Sequence, residues 1–303
     1  MNSVMRKALL ASAVSLAMAG AAQADSIYYD VGPLGINSGD ANTTTDVFDQ
    51  FSISAQTTTT QFDTDGSGGL TVGDMFSDMG EGRVESLLAP GFVDDEGLMT
   101  AGGYEFTFQW SGLNGSVTNI ADAAAGPDNV NISYDAGAQI DFYLDTGLDS
   151  NYGGTVGASD NANFGNGTYA FTVTVTGGTG TNTFGDYTDG TTFTNGSSFI
   201  NGEVTNVASG LFYDDTNHNG IADAQDEDWA TALLNDTMIM AFLDQNTDNV
   251  VAVAPGSNGG MFDILSDHNG SLDITVPEPS TLALLGGSLI GLAGVGRRRQ
   301  RRA

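Results

Sequence analysis

Two stretches of this 303-residue chain have the residue types and spacing to hold a hard cation. In DTNHNGIADAQD, residues Asp215, Asn217, Asn219, Gly220, Asp223 and Asp226 fill the pattern D-x-[DN]-x-[DN]-G-x5-acid, with Asp rather than Glu at the last place. In DTDGSGGLTVGD, Asp63, Asp65, Ser67, Gly68 and Asp74 stand at the matching places, with apolar Leu70 at the eighth. The spacing has a physical reason. Calcium takes about six to eight oxygen ligands, alternate residues of a tight loop point inward, and only glycine turns sharply enough at the sixth place. Two further runs, Asp244-Asn246-Asp248 and Asp267-Asn269-Asp273, begin similarly, lack the closing acid, and read as turns.

Other chemistry finds little support. Both histidines, His218 and His268, sit among Asp and Asn in stretches that read as turns, where loop filler outweighs a general-base or transition-metal role. Paired carboxylates can hydrolyse glycosides. Among 38 acids, however, some pair always falls at a suitable separation, and no lysine- or histidine-centred motif orients one. No G-x-S-x-G, H-E-x-x-H or phosphate loop occurs. The absence of cysteine removes disulfides, thiolate metal sites and cysteine nucleophiles. The expectation is a noncatalytic protein.

The elements that must position these loops read as strands. Tyr104, Phe106, Phe108 and Trp110 alternate with Glu105, Thr107 and Gln109, which places the aromatics on one face and the polar residues on the wet one. Phe171, Val173 and Val175 alternate with threonines in the same way, and 140–144, 204–213, 238–243 and 262–265 are further candidates. Asn-Gly pairs at Asn114, Asn166, Asn195, Asn201, Asn219, Asn258 and Asn269 suggest tight turns. The threonines at 57–60 suit the wet face of a strand. Helix is expected only over about two turns at 226–234, and 75–88 is broken as a helix by Gly80 and Gly82. The fold class is therefore all-β, an antiparallel β-sandwich, jelly-roll-like or immunoglobulin-like.

The Asp215 loop resembles thrombospondin type 3 and dockerin loops more than a helix-flanked EF-hand, because a strand precedes it. That resemblance implies Asp215, Asn217, Asn219, Asp223 and Asp226 as side-chain ligands, with a carbonyl from Ile221. The Asp63 loop resembles an EF-hand-like loop, implying Asp63, Asp65, Ser67 and Asp74; Ser67 and Asp74 depart from the usual Asp and Glu. The expected cofactor is a structural Ca2+.

Both ends of the chain read as addresses. Arg6 and Lys7, an apolar run over 8–19, and Ala22-Gln23-Ala24 form a secretory signal peptide over 1–24, cut by signal peptidase after Ala24. At the other end, VPEPS is followed by an uncharged run from Ser280 to Gly296, long enough to span roughly 25 Å as a transmembrane helix. Five arginines between 297 and 302 follow and stay cytoplasmic. A rigid Pro-Glu-Pro, a short apolar helix and an arginine cluster resemble the PEP-CTERM sorting signal of Gram-negative bacteria. The resemblance covers only the tail from Val276 to Ala303. It implies Pro277, Glu278 and Pro279 as recognition residues for an exosortase, transient anchoring in the inner membrane, and delivery to the cell surface or extracellular matrix. A permanent membrane anchor is the alternative.

Between these ends lies an ectodomain, 25–276, with 37 acidic residues against Arg83 alone. Such a charge repels nucleic acid and anionic lipid. It is compatible with calcium and with a hydrated surface. The family resemblance implies a structural or interaction component of exopolysaccharide, biofilm or floc, where calcium can bridge protein carboxylates to acidic polysaccharide. A secreted carbohydrate-active enzyme and a sugar-binding module, with Tyr28, Tyr29, Tyr152 or Tyr187 exposed for stacking, are the alternatives.

Overall fold

The computed structural model describes residues 26–36, 43–89, 93–122, 127–152, 163–185, 193–215, 221, 223–232, 237–246, 254–255 and 262–275. Their strands are β1 (Ile27–Tyr29), β2 (Gln50–Phe62), β3 (Met75–Leu88), β4 (Glu105–Ala121), β5 (Asp128–Tyr134), β6 (Gln139–Asp145), β7 (Thr168–Phe184), β8 (Phe193–Val207), β9 (Phe212–Asp214), β10 (Glu227–Asp228), β11 (Thr237–Asn246), β12 (Ala254–Pro255) and β13 (Phe262–Thr275). One turn of α-helix, α1 (Trp229–Ala232), follows β10. These elements belong to one compact unit, Asp25–Ile274.

The fold is antiparallel β throughout. The large sheet runs β11-β8-β7-β5-β4-β3-β2-β13-β12, and β11 also pairs with β13, so the path returns on itself. Strands adjacent in sequence are mostly adjacent in the sheet. That order is a closed meander, and it differs from the crossed connections of a jelly-roll or immunoglobulin sandwich. β5 and β6 occupy one line between β4 and β7: β4 pairs with β6 through Glu105–Ser111 and with β5 through Gly115–Ala121. They are one long strand interrupted at 135–138. A second, small sheet, β1-β9-β10, carries α1 beside it.

Alternation builds the core. Tyr104, Phe106, Phe108 and Trp110 are buried, as are Phe171, Val173 and Val175. Phe142 stacks on Phe171 at 4.4 Å, and Tyr29, Phe212 and Trp229 from the small sheet and its helical turn close this cluster at one end. A separate cluster of Leu70, Phe76, Val117, Val130, Ile132, Phe184 and Ile264 lies elsewhere in the sheet.

Several expectations are corrected. The 75–88 stretch is β3, where Gly80 and Gly82 face aromatic rings: a Cβ on either would lie 2.3 Å from Trp110 or Phe108. Asn114, Asn195, Asn201 and Asn269 lie inside strands in paired register, not in turns. Gly115 and Gly202 serve close packing instead: a Cβ at Gly115 would meet the Phe76 ring at 2.4 Å, and one at Gly202 the Val173 side chain at 2.3 Å. Asp244 and Asn246 fall in β11, and Asp267, His268, Asn269 and Asp273 fall in β13. Tyr28 and Tyr29 are buried, so they offer no stacking face. Glu105 and Thr107 are buried as well, because the chain at 149–150 and Phe164 covers the outer face of β4. The two helical turns expected at 226–234 are reduced to the single turn α1, since β10 takes the first residues. Among the described residues no helix is long and apolar enough to cross a membrane. Ala22, Ala24, Pro277, Glu278 and Pro279, and the expected transmembrane segment, lie outside the described residues.

Candidate metal centre

The hairpin loop between β2 and β3 gathers three of its expected ligands. Carboxylate oxygens of Asp63, Asp65 and Asp74 lie within 4.8 Å of one another. Local chemistry dictates this. Asp63 Oδ1 accepts the Gly66 and Ser67 N–H groups at 2.7 and 3.1 Å, and its Oδ2 accepts Gly68 N–H at 2.9 Å, the turn a short carboxylate makes with its own backbone. Gly68, at the sixth place, has φ +81°, a conformation glycine adopts without a Cβ penalty. Asp74 is fully buried and receives Thr64 N–H at 2.8 Å and Thr71 N–H at 2.6 Å, which pins the closing acid across the loop. Leu70, at the eighth place, is buried in the second apolar cluster and anchors the loop to the sheet.

Asp65 is exposed, whereas Asp63 is half-buried and Asp74 buried. Hydrogen bonds from the Ser67 side chain and backbone, and from Thr71, hold its carboxyl below the usual range. The Ser67 hydroxyl donates to the Gly69 carbonyl at 2.8 Å, so the fifth and seventh places are adjacent. The Gly69 carbonyl was not among the expected ligands; its place seven residues into the repeat is the signal that identifies it. The donor set is all oxygen, anionic at three points and flanked by strands, which fits a hard divalent cation such as Ca2+.

The Asp215 loop is less complete. Asn217 and Asn219 lie outside the described residues. Asp215 is buried, its N–H donating to Ser26 O at 2.9 Å. Asp226 accepts Asp223 N–H at 2.8 Å and approaches Tyr28, whose hydroxyl is raised by burial first and then by Asp226. Ile221 is 64% exposed. Among the described residues Asp215, Asp223 and Asp226 do not form a carboxylate cluster of the Asp63 kind.

A cluster that sequence reasoning missed lies on the outer face of β4. Glu105, Asp145 and Asp149 bring carboxylate oxygens within 4.8 Å. Glu105 is buried, accepting Asp149 N–H at 3.1 Å and Ser150 N–H at 3.0 Å, and Asp149 accepts from Asn166 at 3.3 Å. Alternation assigned Glu105 to water, and no local motif joins it to residues 40 positions away.

Inside the closed sheet is a polar belt. Asp78 accepts from Trp110 Nε1 at 2.7 Å and from the Thr59 hydroxyl at 2.6 Å. His268 Nε2 lies 2.8 Å from Thr57 Oγ1, and the Tyr134 hydroxyl lies 2.9 Å from Ser198 Oγ. Burial pushes the Asp78 carboxyl up to about 7 and the His268 imidazole down to about 3. These groups surround a cavity of about 30 Å3, room for roughly one water.

Comparison with known proteins defines the tail. Residues 275–302 match the PEP-CTERM protein-sorting motif. This motif marks a chain for processing by exosortase during export, and the match begins one residue before the expected tail at Val276. No curated protein and no solved structure matches the chain.

Proposed function

We propose that this is a noncatalytic exported protein of a Gram-negative cell surface or extracellular matrix, where its acidic β domain is a structural or interaction component of exopolysaccharide, biofilm or floc. The observation that carries this reading is the sorting motif at 275–302. The domain organisation supporting it is a removed signal peptide, an acidic ectodomain and a sorting tail whose transmembrane segment anchors the chain only until exosortase acts. The 37 acids facing one arginine in the ectodomain suit a hydrated, polyanionic setting in which contacts to acidic polysaccharide pass through divalent cations.

Calcium is the cofactor in this reading. Asp63, Asp65, Asp74, the Gly69 carbonyl and Ser67 would hold the ion and bind the β2–β3 hairpin as one rigid unit, adding stability by mass action. The Asp215 loop is a second site in the same reading, with Asp215, Asn217, Asn219, Asp223, Asp226 and the Ile221 carbonyl as its ligands.

The sorting step is tested by intact-mass measurement and Asp-N peptide mass spectrometry of the protein recovered from the cell surface, since Arg83 is the only tryptic site between 25 and 276. Peptides ending before Ser280, with none from beyond it, are expected; an intact arginine-rich tail on the surface form would refute processing. Retention is tested by washing purified native polysaccharide carrying the protein with chelator. Release is expected, and unchanged retention would exclude cation bridging.

A further inference from the structure

The interruption between β5 and β6 opens a cleft that neither metal loop nor sorting tail uses. At 135–138 the chain remains bonded to β7, with Gly137 N–H on Val175 O and Val175 N–H on Ala138 O, both at 2.8 Å. On the β4 side the ladder breaks between Ser111↔Gln139 and Gly115↔Tyr134, leaving only the Asp135 N–H on Asn114 O at 2.8 Å at one edge. The strand line has therefore parted on one side only. The resulting cleft, about 640 Å3, is bordered by Gln109, Ser111, Asn114, Asp135, Gln139 and Asp141. That volume lies within the roughly 300–1,000 Å3 of small-molecule sites.

The lining selects its ligand. Amide side chains offer donors and acceptors, carboxylates offer acceptors, and the serine offers both, a set that pairs with vicinal hydroxyl groups. Trp110 is 4% exposed and only floors the cleft, so an apolar ligand has little surface to bury against. The lining contains no Lys, Arg or His, and Asp135 and Asp141 oppose an anionic ligand. The unpaired edge of β4 here is only 112–114, with the Asn114 carbonyl already taken by Asp135 N–H, too short a stretch to add an extended peptide as a strand. We infer that this cleft binds an uncharged, polyhydroxylated ligand: a neutral sugar segment of a polysaccharide. The inference rests on the matrix reading for its biological partner, although the binding itself does not depend on sorting.

The test is titration of the full-length chain with maltotriose, cellotriose and mannotriose, against trigalacturonate as the charged counterpart, followed by Trp fluorescence and calorimetry. Saturable binding of at least one neutral trisaccharide is expected, with trigalacturonate weaker. Asn114→Ala/Gln139→Ala, at two exposed positions, should weaken binding about tenfold through lost hydrogen bonds. Ser111→Trp, which sets a bulky ring at the border of the cleft, should abolish binding while leaving the melting temperature unchanged. Absence of binding to all three neutral sugars overturns the inference, as does binding that survives both variants or favours trigalacturonate. Surface extraction of the same proteins separates the two readings: a surface-located wild type that binds no sugar sinks the cleft alone, and a sugar-binding protein absent from the surface sinks the matrix assignment alone.

Discussion

At the scale of single residues, the decisive positions are those where one atom sets what neighbouring groups can do. Gly80→Ala and Gly82→Ala each place a methyl 2.3 Å from a core ring, and each should cost about 1–3 kcal/mol by overpacking. Gly69→Ala, whose added carbon meets nothing within 4 Å, should be close to neutral in the same thermal denaturation series. Equal losses at all three would show that the rings yield. Asp65 offers the cleanest test of the metal loop. Asp65→Asn keeps an acceptor for the Ser67 N–H and removes a charge, so the calcium-dependent rise in melting temperature should shrink while stability in chelator stays nearly constant. An undiminished calcium response would exclude Asp65 as a ligand. The loop was legible in the sequence because its residues are local and periodic. Thr57 and Thr59 were not, since alternating threonines suit either face of a strand; only the closed sheet turns them inward.

At the scale of elements, strand identity was read correctly where apolar alternation is strong, as in β4 and β7, and was lost or cut short where glycine and asparagine are frequent: β3 was not read as a strand, and β8 and β13 were read only at 204–207 and 262–265. Asn-Gly favours a turn when its backbone is free to choose, but here register with neighbouring strands outweighs that local preference. The outer cover of β4 was illegible for another reason: it depends on contacts 44 and 45 residues apart in sequence, between Glu105 and the 149–150 segment. Glu105→Ala should release that segment. The expected result is a loss of about 1–3 kcal/mol, from removing the buried acceptor of two backbone donors, and faster limited proteolysis at 146–152. Cleavage at the wild-type rate would show that Phe164 and Tyr152, whose rings lie 5.2 Å apart, hold the cover without it.

At the scale of the whole molecule, the polar belt couples stability to pH through two groups of opposite sense. Asp78 is raised in the folded state from an ordinary 3.8 to about 7, so its contribution is complete below pH 3.8 and is lost as pH rises through 7. His268 is lowered from 6.5 to about 3, so its contribution is complete above pH 6.5 and is lost as pH falls through 3. Between about pH 4 and 6.5 the two slopes, each at most about 1.4 kcal/mol per pH unit, offset one another. Relative to wild type, Asp78→Asn should gain stability as pH rises through this window, and His268→Gln should gain as it falls. Denaturant melts at several pH values decide it, and variants whose differences from wild type run parallel would refute the pairing. Closure of the sheet has a further consequence, for the order of events in time. β2 is among the first strands made, and its partner across the seam, β13, pairs with it from Asp273↔Gln50 to Phe262↔Gln61. β13 ends where the sorting motif begins. Until that last strand has crossed the membrane, β2 keeps an open edge, so the protein cannot finish folding before its sorting signal is next in line to emerge. The β domain can therefore close its sheet only once the chain up to the sorting motif is in place.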